Sequence, residues 1–162
     1  MNSKEVGLYL KKNSLLLATA ESCTAGLIVS NIARTPGSSA WLDAGFVVYS
    51  PEAKNKLLGV SLNTIDVFNI TSEEVAKEMA LGAIKNSRAN ISVSTTGVAG
   101  PSGGTEDIPV GTVCFAWAHQ TDTKIICVTE KHLFKGSRNQ IRNQAAKLAL
   151  DKLIELLKDR KI

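Results

Sequence analysis

The stretch Leu15-Leu16-Leu17-Ala18-Thr19-Ala20-Glu21-Ser22-Cys23-Thr24-Ala25-Gly26 passes from an apolar run to small polar residues within a few positions. Leu15 to Ala18 predicts a buried strand, and Gly26 to Ile32 predicts the helix after it. Ser22 then sits on a strand-to-helix turn, where a side chain can be held rigidly beside an open crevice. Two further apolar runs end in the same way. Phe46-Val47-Val48 runs into Tyr49-Ser50-Pro51-Glu52-Ala53-Lys54, and Ile91-Ser92-Val93-Ser94 runs into a loop with four glycines between Gly97 and Gly104. In open α/β sheets, ligands bind beyond the carboxyl ends of parallel strands. If these three strands are parallel, a hydroxyl, an amine and a glycine-rich loop converge on one place.

The remaining elements follow from pattern and caps. Ser3 can cap a first helix that runs to about Lys12. Pro36-Gly37-Ser38-Ser39 breaks the chain, and Ala44 to Tyr49 predicts a second strand. Ser50-Pro51 is helix-start chemistry, with serine as N-cap and proline in the first turn; that helix ends near Leu58. Gly59 to Ile70 carries no clear periodicity and reads as irregular. Thr71 with Glu74 offers a capping box, after which Val75, Ala76, Met79, Ala80, Ala83 and Ile84 form one apolar helix face. Val110 to Ala118 and Ile125 to Leu133 read as an antiparallel hairpin around Gln120-Thr121-Asp122-Thr123. A last helix, Arg138 to Lys158, turns Ile141, Ala145, Leu148, Leu153 and Leu157 to the core. Residues 1–162 therefore predict one three-layer α/β/α domain of α/β class, with a mixed, mostly parallel sheet and a C-terminal antiparallel hairpin.

Composition narrows the function. The 162 residues are 44% hydrophobic and 21% charged, so the chain is neither disordered nor membrane-spanning. No apolar run approaches the roughly 20 residues needed to cross a bilayer, and the first residues lack a hydrophobic signal segment. Three widely spaced cysteines argue against a disulfide framework and for a reducing, cytoplasmic setting. The net charge of +4 is mild, and the aromatic residues do not alternate with the basic ones. That pattern points away from nucleic acid; the basic excess reads as a solvated helix face and is compatible with a small anionic ligand.

Ser22 needs a base to become a nucleophile. The two histidines, His119 and His132, fall on the hairpin, away from the site loops, and no Gly-x-Ser-x-Gly elbow surrounds Ser22. Lys54 fits better. In the first turn of its helix its side chain leans back toward the strand ends, and the helix N-terminus and burial both disfavour its charged form. Tyr49 is placed to relay a proton, to pack a planar substrate, or simply to lie half-buried against the sheet; these readings stay open. Cys23 reads as an inert packing thiol, and Glu21 points to the opposite side of its strand. The glycine loop can offer amides to a phosphate or an oxyanion, but it matches neither the P-loop nor the dinucleotide fingerprint. No metal-ligand spacing is present, and the adjacent pair Glu106-Asp107 is ill-suited to hold a metal for phosphoryl transfer.

Taken in order, these stretches resemble the CinA C-terminal-domain family. The matching segments are Thr19 to Gly26, Pro36-Gly37-Ser38-Ser39-Ala40-Trp41, Gly45 to Lys54, Thr96 to Thr105, and Pro109-Val110-Gly111-Thr112-Val113. The resemblance implies a three-layer domain that associates as a homo-oligomer. It implies hydrolysis of the carboxamide of nicotinamide mononucleotide to nicotinate mononucleotide and ammonia, without metal or other cofactor. It also implies a Ser22–Lys54 dyad acting through an acyl-enzyme, supported by Tyr49, with Thr24, Gly26, Thr96, Gly97, Ala99, Gly100 and Arg142 on the substrate. A non-catalytic pyridine-nucleotide-binding or competence-associated module is the alternative. Gly136-Ser137-Arg138 stands where the family often has Gly-Asp-Arg, which leaves Arg138 and Arg142 as the candidate phosphate contacts. The long N-terminal domain of full CinA proteins is absent, so the stand-alone form is expected.

Overall fold

The computed structural model describes residues 3–162; the Ser3 cap concerns a side chain outside those described. In chain order the elements are α1 (Ser3–Lys12), β1 (Leu17–Glu21), α2 (Leu27–Ala33), a 3-10 turn (Ser38–Ala40), β2 (Leu42–Val47), α3 (Pro51–Leu58) and α4 (Leu62–Phe68). There follow α5 (Glu73–Lys85), β3 (Ile91–Gly97), β4 (Thr112–Gln120), β5 (Ile125–Leu133) and α6 (Arg138–Lys158). The strands form one sheet in the order β2-β1-β3-β4-β5. β1 pairs in parallel with β2 and β3, while β3–β4 and β4–β5 are antiparallel. The mixed α/β sheet and C-terminal hairpin are those predicted.

Period-2 alternation on the strands separates two helical layers. Leu17, Ile91, Val93, Val113, Phe115 and Trp117 face α1, α2 and α6. Here large side chains on the sheet meet small ones on α6, and Trp117 Nε1 donates to the Ala149 carbonyl at 2.8 Å. On the other face Ala18, Ala20, Cys114, Ala116 and Ala118 are small, as are Ala76, Ala80 and Ala83 on α5. Close approach lets β3 bond to α5 directly: Ser92 Oγ donates to the Ala80 carbonyl at 2.8 Å and Ser94 Oγ to the Ala76 carbonyl at 2.6 Å. α5 also packs on α3, where Gly82 leaves no room for a Cβ beside the Leu58 carbonyl.

Several boundaries differ from the sequence reading, each for a local reason. β1 begins at Leu17 and continues through Glu21, because pairing on both sides keeps the buried Thr19 and Glu21 in the ladder. β2 runs Leu42–Val47 instead of Ala44–Tyr49, since the carbonyls of Val48 and Tyr49 turn out of the sheet to Lys54. The 59–70 segment is not irregular throughout. α4 forms there, capped by Ser61 and fastened by Glu78 of α5, whose carboxylate accepts from Ser61 N and Thr64 Oγ1, each at 2.7 Å. The α5 cap is Ser72, which accepts from Val75 N, and not Thr71; the chain stays extended through Ser72. On α6, Leu148 is half-buried at the rim of the core. Among the described residues no helix is long and apolar enough to cross a membrane.

Candidate active site

Ser22 follows β1 directly and belongs to the face of the strand that carries Ala18 and Ala20, toward α3. The chain holds its position through both neighbours: Ser22 N donates to the Thr95 carbonyl and Val48 N to the Glu21 carbonyl, each at 2.9 Å. It then makes a tight excursion in which Ala25 (φ +49°) and Gly26 (φ +89°) both take left-handed conformations before α2 starts. Gly26, the N-cap of α2, suits that backbone at no steric cost.

Lys54 lies in the first turn of α3, capped by Ser50, which accepts from Ala53 N at 3.1 Å. Its side chain is fully buried, and its amine reaches back along the helix to the strand ends. Nζ donates to Ser22 Oγ at 2.9 Å, to the Val48 carbonyl at 2.8 Å and to the Tyr49 carbonyl at 3.1 Å. Burial pulls the ammonium down from its ordinary 10.5 to about 8, with the neighbouring Cys23 acting weakly the other way. Cys23 is different. Its thiol packs among the α2–α6 core residues, and burial pushes it up to about 12. Of these two adjacent side chains, the Ser22 hydroxyl is the one bonded to the Lys54 amine.

The other residues singled out from sequence frame this pair. Tyr49 contributes its carbonyl to Lys54, while its exposed phenol accepts from Arg138 Nη2 at 2.8 Å. Arg138 Nη1 donates to the Gly100 carbonyl, also at 2.8 Å, so one guanidinium joins the end of β2 to the glycine loop. Arg142 donates through Nε to the Cys23 carbonyl and through Nη2 to the Thr24 carbonyl, both at 3.1 Å. Thr24 and Thr95 share a buried hydroxyl–hydroxyl bond of 2.8 Å. Thr96 Oγ1 donates to the Ile70 carbonyl at 2.8 Å, Gly97 ends β3, and Ala99 is packed into the core. Neither histidine touches the pair. His119 lies opposite Ile91 at the far end of β3, and His132 bonds Glu130 on the outer strand.

In the same layer as Ser22 and Lys54, a cavity of about 620 Å³ opens between α4 and the glycine loop, lined in part by Pro51, Phe68, Ile70, Thr105 and Ile108. Another, of about 460 Å³, lies at the opposite end of the sheet around Tyr9, His119 and Arg160, remote from the dyad. Glu21 is the residue that sequence reasoning set aside. Its direction was readable from alternation, but its three amide partners on the turn and α2 were not.

A family model described as the CinA C-terminal domain matches residues 2–157. The chain belongs to the CinA C-terminal-domain family. Within it, the chain is 46% identical over 148 residues to nicotinamide-nucleotide amidohydrolase PncC of Enterobacter agglomerans, covering 91% of this chain and 88% of that protein. It is 45% identical over 151 residues to the protein of the same name from Escherichia coli K12, at 93% and 90% coverage. A CinA-like protein of Chlorobium limicola is 47% identical over 146 residues, which is 90% of this chain but only 34% of that longer protein. Among solved structures, the competence/damage inducible protein CihA of Agrobacterium tumefaciens superposes with a TM-score of 0.88 at 37% identity, covering 95% of this chain and 92% of the other.

Proposed function

We propose that this CinA C-terminal domain hydrolyses the carboxamide of nicotinamide mononucleotide to nicotinate mononucleotide and ammonia, with Ser22 as nucleophile and Lys54 as its base. The observation that carries the reading is the amine of Lys54, buried and bonded at once to Ser22 Oγ and two backbone carbonyls. A neutral lysine has two N–H groups and one lone pair. Two carbonyls take the N–H groups, so the lone pair is left facing the Ser22 hydroxyl. The names of the amidohydrolase relatives supply the substrate.

In this mechanism Lys54 takes the Ser22 proton as Oγ attacks the carboxamide carbon, giving a tetrahedral intermediate. The resulting ammonium returns that proton to the leaving nitrogen, ammonia departs, and an ester joins Ser22 to the nicotinoyl group. Lys54, neutral again, takes a proton from water as the water attacks the ester, and returns that proton to Ser22 Oγ as the acid departs. The glycine loop and the turn after Ser22 would meet the substrate with backbone at Gly26, Gly97 and Gly100, supported by the buried Thr24, Thr96 and Ala99. Tyr49 supports Lys54 through its carbonyl, and its phenol with Arg138 frames the mouth. Arg138 and Arg142 bond only neutral acceptors among the described contacts, so both guanidinium charges are available to the phosphate. We further propose that the domain works as a cytoplasmic homo-oligomer without metal, nucleic acid or membrane. The test is ammonia release from nicotinamide mononucleotide. Binding by calorimetry without release favours the non-catalytic module instead.

A further inference from the structure

Glu21 is a fully buried carboxylate with no cationic side chain among its hydrogen-bond partners. Its Oε2 accepts from Gly26 N at 2.9 Å and Ile28 N at 3.0 Å, and its Oε1 from Val29 N at 2.9 Å and Thr19 Oγ1 at 3.3 Å. A buried charge survives only when hydrogen bonds replace its hydration. Here they come from the residues that close the Ser22 excursion. The chain leaves β1 at Glu21, passes through Ser22, Cys23, Thr24 and the left-handed Ala25, and returns at Gly26. The carboxylate spans the base of that excursion. It also satisfies first-turn amides of α2, whose N-cap is a glycine without a capping side chain.

We infer that Glu21 is the positioning residue of the nucleophile: its grip on Gly26, Ile28 and Val29 fixes where Ser22 Oγ meets Lys54 Nζ. Before Gly26 the excursion is also held by Ser22 N and Thr24 Oγ1 on Thr95 of β3, by Arg142 of α6 on the Cys23 and Thr24 carbonyls, and by the Ala25 N to Ser22 carbonyl bond. None of these bonds reaches the return of the chain at Gly26, Ile28 and Val29, which Glu21 holds. A carboxylate is required because both of its oxygens face donors. A glutamine keeps the shape but turns an NH2 toward amide N–H groups on one side, and the turn must shift to relieve that opposition. Displacement of a reacting atom by about 1 Å is enough to cost on the order of a hundredfold in rate.

The inference rests on Ser22 and Lys54 being the reacting pair. Its test uses the full chain, with Glu21→Gln and the milder Thr19→Val. We expect Glu21→Gln to lower kcat about a hundredfold while KM stays within about threefold. A crystal structure should show Ser22 Oγ beyond hydrogen-bonding distance of Lys54 Nζ. Thr19→Val should lower kcat a few-fold. A Glu21→Gln enzyme that melts lower yet keeps its kcat and its Ser22–Lys54 contact overturns the inference. If Glu21→Gln does not fold, Thr19→Val decides: reduced kcat at unchanged melting temperature upholds the role, and wild-type kcat overturns it. Failure of the wild type to release ammonia defeats the functional reading instead, and the Ser22–Lys54 distance in Glu21→Gln still decides the positioning.

Discussion

Lys54 Nζ lies 2.9 Å from Ser22 Oγ in a pocket where the lysine is fully buried, and its two other contacts are the carbonyls of consecutive residues, Val48 and Tyr49. The same geometry lowers the affinity of the amine for its proton and aims its lone pair. With Lys54 as the proposed base, the neutral amine is the reactive form, and the pH dependence has a definite sign. Below about 8 Lys54 is mostly protonated, so kcat/KM should rise tenfold per pH unit and then level off above that value. A profile flat from pH 6 to 9 removes Lys54 as the base.

Replacing either member of the pair should abolish the reaction with little effect on binding. Ser22→Ala and Lys54→Met are each expected to lower kcat by roughly a thousandfold or more, since neither partner acts alone. Cys23→Ala should stay within a few-fold of wild type, because burial holds its thiol up near 12 and turns it into the core. Steady-state ammonia release by the three variants, with calorimetry for binding, measures the contrast. A dead Cys23→Ala alongside an active Ser22→Ala reverses the assignment.

The meeting of Ser22 and Lys54 was legible from sequence, but what holds the amine in place was only partly so. Apolar runs ending in small polar residues fixed the strand ends, and the Ser50-Pro51 helix start fixed the direction of Lys54. The carbonyls that hold the amine were invisible, because a backbone acceptor has no residue type. For the same reason β2 was read two residues too far toward the C-terminus. α4 escaped notice because its order comes from Glu78, fourteen residues beyond Thr64. Alternation showed that Glu21 faces away from Lys54, while the amides it accepts depend on a turn whose left-handed Ala25 no propensity predicts.

Lys54 also ties stability to pH. Its folded affinity for a proton lies below its unfolded one, so between about 8 and 10.5 the unfolded chain holds more protons at this group. Stability therefore rises with pH across that window. Relative to Lys54→Met, the wild type should gain about 3 kcal/mol between pH 8 and 10.5. The difference between paired denaturation curves cancels the other groups that titrate there. A constant offset between wild type and variant excludes the buried-lysine account.

The Tyr49–Arg138 contact separates substrate capture from chemistry. Tyr49→Phe leaves the backbone carbonyl on Lys54 and deletes only the acceptor of Arg138 Nη2. It should keep kcat within about threefold and raise KM about tenfold or more, given the roughly 1.5–3 kcal/mol of a hydrogen bond to a charged group. Arg142→Gln should raise KM more for the nucleotide than for its dephosphorylated nucleoside. Equal losses for both would mean that Arg142 serves only to brace the Cys23 and Thr24 carbonyls.

The site also depends on how α3 is seated, and Gly82 tests that dependence from a distance. A Cβ at this position of α5 runs into the Leu58 carbonyl at the C-terminal end of α3, the helix that carries Lys54. Both partners are backbone, so neither side can yield by changing a rotamer. Gly82→Ala would gain intrinsic helix propensity of about 1 kcal/mol. The forced separation of α3 from α5 should outweigh this, for a net loss of about 1–3 kcal/mol in urea unfolding. Because the shift moves the whole of α3, kcat should fall with stability, whereas a surface change such as Lys56→Ala on the same helix should alter neither. A stabilised Gly82→Ala with full activity means that the two helices have slack at this contact and that Lys54 is held by its carbonyls alone.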